Sequence, residues 1–304
     1  MKIAIMGTGG VGAYYGGLLA KKGLDVTFIA RGAHLQAIQA NGLQVKSIHG
    51  DFVISPAKAV SDPAEIGPAD LVLFCTKAYD TQSAAQLILP IVGPQTMVLS
   101  LQNGIDSAEQ IGAVIGMEHL LGGATWISAA IEAPGVLRQV SQFRRIVIGE
   151  LAGPLSARVR AVAEAFDGMG ITFEVSENIL KVLWTKFVFI SAVSGLGALT
   201  RRPIGDFRAV PETRALMNVL MREIESVARA HSVSLDADVV EKTLAFVDNV
   251  DARIKPSMQL DVEAGRRFEL DALVGVVRRK GRERGIPTPA SDFVYAVLLA
   301  CLSG

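Results

Sequence analysis

Lys2-Ile3-Ala4-Ile5-Met6-Gly7-Thr8-Gly9-Gly10-Val11-Gly12 carries an apolar strand through a G-x-G-x-x-G turn into the helical pattern of 11–22. Alone, the glycine spacing is a weak signal. It strengthens because Gly23 follows as a helix stop and Val26–Ala30 as a second apolar strand, which completes a βαβ unit. Gly7 permits the tight turn, Gly9 lets a pyrophosphate approach the backbone, and Gly12 lets helix and strand pack closely. The helix N-terminus, with Thr8, Gly10 and Val11, turns unpaired N–H groups toward an anion. A glycine-rich turn without a ligand is the alternative.

The second strand ends in Phe28-Ile29-Ala30-Arg31 and carries no acid there. A carboxylate at that position holds the ribose hydroxyls of NAD, whereas a guanidinium suits a 2′-phosphate. Arg31 therefore points to NADP(H), unless it is an ordinary surface arginine at a strand end.

Outward from this unit the alternation continues. Strand-like runs fall at Leu71–Cys75, Thr96–Leu101, Ile146–Gly149 and Ile171–Val175, and helical patterns at Thr81–Leu89, Asp106–Ile115 and Leu155–Phe166. Near-continuous Val/Ile/Leu strands separated by helices predict a parallel sheet buried on both faces. Pro134-Gly135 separates two further runs, Ile127–Ile131 and Val136–Val140, which could pair antiparallel. After Val175 the texture becomes helical, over Glu177–Gly195, Pro211–Ala230, Ala237–Asn249, Ser257–Gly275 and Pro289–Leu302. The expected fold is α/β: an N-terminal Rossmann-type doubly wound parallel sheet over 1–175 and a C-terminal all-helical domain over 176–304.

Composition removes several classes. The length is about twice the ~150 residues typical of one domain. Half the residues are hydrophobic and 20% charged, which excludes disorder. Thirty basic residues balance thirty acidic ones, so no charge footprint suggests nucleic acid or an anionic membrane. Cys75 and Cys301 are too few and too far apart for a disulfide framework or a zinc site, and no histidine sits in a metal-ligand spacing. The N-terminus has no signal-peptide pattern, and the uncharged run Phe187–Leu199 is short for a bilayer. A reduced, cytoplasmic protein without a metal is the expectation. The basic run 278–284 reads as the solvated end of a helix closed by Gly285 and Pro287.

Ligands of open parallel sheets bind beyond the carboxyl ends of the strands, which places Lys77 (after Leu71–Cys75) and Asn103 (after Val98–Leu101) as candidates beside the glycine turn. Both could equally be polar loop residues. Trp184-Thr185-Lys186-Phe187-Val188-Phe189-Ile190 sets one lysine among large apolar residues. Burial there would lower the amine's pKa and make it a usable proton donor, although the same pattern fits a lysine that snorkels from a buried helix. Glu269 places a carboxylate inside the 257–275 helix and also reads as a surface charge. No Tyr-x-x-x-Lys pair is present, which disfavours a short-chain dehydrogenase. No His–Glu pair at suitable spacing supports a hydroxyacyl-CoA dehydrogenase.

The chain resembles the ketopantoate reductase (2-dehydropantoate 2-reductase) family along nearly its whole length. The match lies in Gly7–Gly12, Arg31, Thr76-Lys77-Ala78, Asn103-Gly104, Trp184-Thr185-Lys186, 256–261 (Pro-Ser-Met-Gln-Leu-Asp) and Glu269-Leu270-Asp271. The resemblance implies NADPH as reductant, a 2-oxo acid as substrate and a step of pantothenate biosynthesis. It makes Lys186 the general acid, Glu269 the carboxylate near the lysine and the nicotinamide ribose, and Ser257 a substrate-binding serine. Asn103 and Lys77 would line the cofactor cleft, Asn103 also touching substrate, and Ala129 would offer a backbone contact. A homodimer is compatible with the family's pattern. The chain departs from the family at its substrate asparagines, where it has Ile190, Ser194 and Ile204. Ile190 and Ser194 fall four and eight residues after Lys186, on one helical face. That departure leaves two further readings open: a relative reducing a more apolar 2-oxo acid, and a dinucleotide-binding protein without catalysis.

Overall fold

The computed structural model describes residues 1–302 as two compact units, one formed by 1–102 with 107–179 and the other by 103–106 with 180–302. In the first unit β1 (Lys2–Met6), α1 (Gly10–Lys21) and β2 (Asp25–Ile29) form the expected βαβ start. They are followed by α2 (Gly32–Asn41), β3 (Leu43–Ser47), β4 (Phe52–Ile54) and β5 (Lys58–Val60). Then come β6 (Leu71–Phe74), α3 (Thr81–Leu87), β7 (Met97–Ser100), α4 (Ser107–Ile115), β8 (Leu120–Trp126), β9 (Ala129–Ala133) and β10 (Val136–Gln139). β11 (Arg145–Gly149), α5 (Ala157–Phe166) and β12 (Thr172–Val175) complete the unit.

Eight strands form one sheet in the order β12-β11-β8-β7-β6-β1-β2-β5, parallel except where β11 runs against β8. Its faces are both buried. Ile3 and Ile5 join one apolar cluster with α1 and α5, and Ala4 and Met6 join another with α3 and α4. β1 pairs with β2 on one side and with β6 on the other, so the chain reverses its winding at β1. That switch point is where open α/β sheets form a ligand crevice beyond the strand ends. The antiparallel β9–β10 pair exists as expected, but within a second four-stranded sheet, β4-β3-β10-β9. This sheet packs on α1, where a Cβ on Gly17 would lie 3.2 Å from the Phe52 ring.

The helical unit contains α6 (Ile179–Thr200), α7 (Ile204–Ala209), α8 (Pro211–Ala230), α9 (Val239–Asn249), α10 (Ser257–Glu263), α11 (Val276–Glu283) and α12 (Pro289–Ala300). α6 is longer than its uncharged run: 22 residues, long and apolar enough by length and composition to cross a membrane. Here it is the core helix, with Trp184, Phe187, Val188, Ala192, Val193 and Leu196 all inside the unit's apolar cluster. The continuous helix expected over 257–275 does not form. α10 ends at Glu263, Gly265 takes a left-handed φ of +62°, and the chain resumes as a π turn over Asp271–Gly275 before α11. The basic run is also less solvated than expected. Lys280 is buried, and Arg279 pairs with the buried carboxylate of Asp106. Glu223 accepts hydrogen bonds from the Ala290 and Ser291 N–H groups and from Ser291 Oγ, which caps α12 with a buried carboxylate.

Candidate active site

The glycine turn of the first unit is shaped by close approaches. A Cβ on Gly7 would lie 2.7 Å from Thr76 N, and one on Gly12 would lie 2.2 Å from Gly7 O; Gly7 itself has φ of +93°. Gly10 is as constrained, because its Cβ would fall 2.0 Å from Ala129 O. Ala129 therefore sits at the turn. Gly9 alone has open space where a side chain would project, the feature a pyrophosphate needs to reach the backbone at α1's N-terminus. Val11 lies in the first turn of that helix.

Thr8 is used internally. Its Oγ1 donates to Ile29 O at 2.8 Å and pins the turn to the end of β2. His34 of α2 adds a second tie: Nε2 lies 3.0 Å from Thr8 O, while Nδ1 accepts from Gly135 N at 3.0 Å. An Nδ1 that accepts leaves Nε2 as the protonated nitrogen, so the ring is neutral, and burial holds its pKa below the ordinary histidine value. Arg31 caps α2 with its side chain 84% exposed, beside Asp80 at 3.6 Å. The end of β6 is fixed by Gln102, whose Nε2 donates to Thr76 O at 3.0 Å and Thr81 Oγ1 at 2.9 Å. Lys77 follows Thr76, half-buried. Burial pushes the Cys75 thiol up, which suits packing rather than reactivity. His34 and Gln102 were not singled out by the sequence reading, and a polar residue in a weakly patterned stretch offers little signal.

In the helical unit, Lys186 Nζ donates to Asn103 Oδ1 at 2.8 Å. Burial pushes the ammonium down to about 8, and the Glu269 carboxylate partly offsets that fall. Two other sequence candidates, Asn103 and Glu269, thus converge on the Lys186 amine. The 103–106 segment is fastened to the unit beyond Asn103: Ile105 packs on the apolar cluster, and Asp106 pairs with Arg279 of α11. Glu269 is buried and, contrary to expectation, lies outside a regular helix, at the entry to the π turn.

The remaining candidates spread along α6, α7 and α10. Ile190 is half-buried one turn after Lys186. Ser194 is fully buried, with its Oγ bonded to no protein group. Ile204 lies in the apolar cluster, its N–H bonded to Ile254 O, and Ser257 is exposed at the first turn of α10.

A doubly wound sheet with a phosphate-type glycine turn, together with a helical unit that holds a depressed lysine against an amide and a carboxylate, defines an oxidoreductase class. The family described as Ketopantoate reductase PanE/ApbA matches residues 3–153, and its C-terminal counterpart matches 178–301. The uncharacterized oxidoreductase YkpB of Bacillus subtilis is 32% identical over 98% of each chain. The 2-dehydropantoate 2-reductase of Mesorhizobium japonicum is also 32% identical, over 98% of this chain and 97% of its own. A PanE/ApbA family ketopantoate reductase from Ralstonia eutropha JMP134 superposes with a TM-score of 0.91 at 35% identity, covering 100% and 99% of the two chains. D-mandelate dehydrogenase, solved with NADH and anilino(oxo)acetate, has the same TM-score at 25% identity and the same coverage. The chain belongs to the ketopantoate reductase family.

Proposed function

We propose that this protein reduces 2-dehydropantoate to pantoate with NADPH, and that Lys186 supplies the proton. The observation that carries the reading is the Lys186 amine: hydrogen-bonded to Asn103, supported by Glu269 and near-neutral in pKa. A reduced nicotinamide supplies hydride when bound. Gly7, Gly9, Gly10, Val11, Gly12 and the Thr8 backbone suit its pyrophosphate, Ala129 and Lys77 flank that turn, and Arg31 suits a 2′-phosphate. Lys186 protonates the oxygen that becomes an alkoxide, and its charge stabilises that oxygen as it forms. Asn103 orients the amine by accepting one of its hydrogens, and Glu269 keeps it protonated. Ser257 offers an exposed hydroxyl to the substrate's polar end, whereas the Ser194 hydroxyl is sealed from solvent.

A second reading keeps the chemistry and changes the side chain of the 2-oxo acid. Ile190 favours it, because an isoleucine one turn from Lys186 offers apolar contact and no hydrogen bond. D-mandelate dehydrogenase, a neighbour in fold whose bound anilino(oxo)acetate carries a ring, favours it too.

Initial rates with 2-dehydropantoate and a panel of other 2-oxo acids, each with NADPH and with NADH, test both readings and the role of Arg31. The first reading expects 2-dehydropantoate with NADPH to be the best pair, and Arg31→Ala to erode the preference for NADPH. A rate on 2-dehydropantoate no better than on unrelated oxo acids rejects it. Tight dinucleotide binding without turnover on any acid would instead mark a non-catalytic binding protein.

A further inference from the structure

A π turn is an uncommon feature that often marks a functional position, and this one begins two residues after Glu269. Its signature is direct: Val276 N–H donates to Asp271 O, five residues back. The widened turn needs outside partners. Leu273 O accepts a 2.6 Å hydrogen bond from Ser191 Oγ, and both groups are buried. Tyr295 OH donates to Asp271 Oδ1 at 2.7 Å. On the side of the 103–106 segment, Gly104 packs so closely that a Cβ would lie 3.2 Å from Ala272 O.

These contacts close a loop through the chain. Lys186 and Ser191 lie five residues apart on the rigid α6, and Leu273 and Glu269 lie four apart across the turn. We infer that Ser191 is a positioning residue: its hydroxyl, bonded to Leu273 O, holds the π turn and thereby keeps the Glu269 carboxylate in place beside the Lys186 amine. Without that hydroxyl the buried Leu273 carbonyl would lose this partner, which favours rearrangement of the turn. Relaxing a π turn to α-helical register removes one residue from it, and one residue corresponds to a rotation of about 100°. A rotation of that size at the turn's start would carry Glu269 away from the amine. The Glu269 carboxylate acts on Lys186 through its field, whereas Asn103, the amine's hydrogen-bond partner, is neutral.

The inference rests on Lys186 as the proton donor, but its test need not. The full-length protein, saturated with NADPH and labelled with ¹³C at the lysine ε-carbons, is titrated by NMR. The Lys186 resonance is the one lost in Lys186→Arg. Ser191→Ala should lower the pH at which Lys186 titrates by about half a unit or more. Ser191→Thr, which keeps the hydroxyl, should restore it, and Ser191→Cys with its weaker donor should fall between them. In a Glu269→Gln background the alanine substitution should add no further shift, because the effect travels through Glu269. An unchanged titration in a folded Ser191→Ala protein overturns the inference, as does an equal shift with and without Glu269. Where turnover is measurable, kcat at about pH 8 should fall about twofold or more in Ser191→Ala while the KM for NADPH holds. Absence of turnover on every 2-oxo acid would reject the functional reading and leave the titration result to decide this one.

Discussion

Lys186 makes the sharpest demand on experiment. With an amine that titrates at about 8, roughly nine-tenths of the protein carries the donor's proton at about pH 7 and roughly one-tenth at about pH 9. Reduction of a 2-oxo acid should therefore fall roughly tenfold across that interval. An ordinary lysine, titrating near 10.4, would stay protonated throughout and leave the profile flat. The reverse oxidation needs the neutral amine and should climb over the same range. Glu269→Gln should move both curves to lower pH, because the carboxylate raises the lysine's pKa. Lys186→Arg keeps a charge that does not release its proton near neutrality, so it should lose roughly a hundredfold or more in turnover and show no inflection. Initial rates are read from the absorbance of the reduced nicotinamide, with each substrate saturating at every pH. A reduction rate constant up to about pH 10, or an arginine variant with the parental inflection, would refute the assignment of the proton to Lys186.

The two central glycines of the turn should separate folding from binding. Gly10→Ala drives a Cβ into Ala129 O and should lower the melting temperature, whereas Gly9→Ala has open space and should leave melting unchanged while weakening NADPH by calorimetric titration. His34 titrates below its unfolded value of about 6.5. Its contribution to stability is thus present above that value and is lost as pH falls below it through the depressed folded value. The parent should lose more melting temperature than His34→Gln between about pH 7.5 and pH 5, and equal losses would count against the neutral ring. The 4-hydroxyl of 2-dehydropantoate is tested by trimethylpyruvate, which lacks only that group. A site that bonds the hydroxyl should favour 2-dehydropantoate by tenfold or more in kcat/KM, whereas comparable values would support the apolar reading around Ile190.

Much of the α/β unit was legible because its signals are local. The glycine spacing and the strands at Lys2–Met6 and Leu71–Phe74 each declare themselves within a few turns of chain, as does the helix at Pro211–Ala230 in the helical unit. β8 escaped notice because Gly122 and Gly123 interrupt its apolar pattern. Those glycines are set by neighbours far away in sequence: a Cβ on Gly123 would lie 2.7 Å from Ser100 O. α2 was missed because it buries only Ile38 and shows little periodicity. The 257–275 segment misled in the opposite sense, since its mixed polarity suits a helix while Gly265 breaks it. The amine, its amide and its carboxylate were each identifiable as residue types. That Asn103 would bond Lys186 was not, because the contact joins residues 83 apart. Ser191 gave no sign at all. Its inferred role depends on a hydrogen bond to a buried carbonyl in a turn that periodicity had read as helix.

The composition of the lysine's surroundings fits the proton donation proposed for it. A buried amine facing no carboxylate would fall further in pKa and lose its proton near neutrality, and would then donate nothing. Two carboxylates would err the other way, holding the proton too firmly to release it to a developing alkoxide. The arrangement here lies between these limits. Glu269 supplies one negative charge, and Asn103 supplies direction at 2.8 Å without adding another. The segment that carries Asn103 has one carboxylate of its own, Asp106, and Arg279 takes up that charge. The amide thus arrives on a stretch of chain that contributes almost no net field. An aspartate in place of Asn103 would keep the hydrogen bond and raise the lysine's pKa, so charge, rather than hydrogen-bonding capacity, accounts for the choice of asparagine.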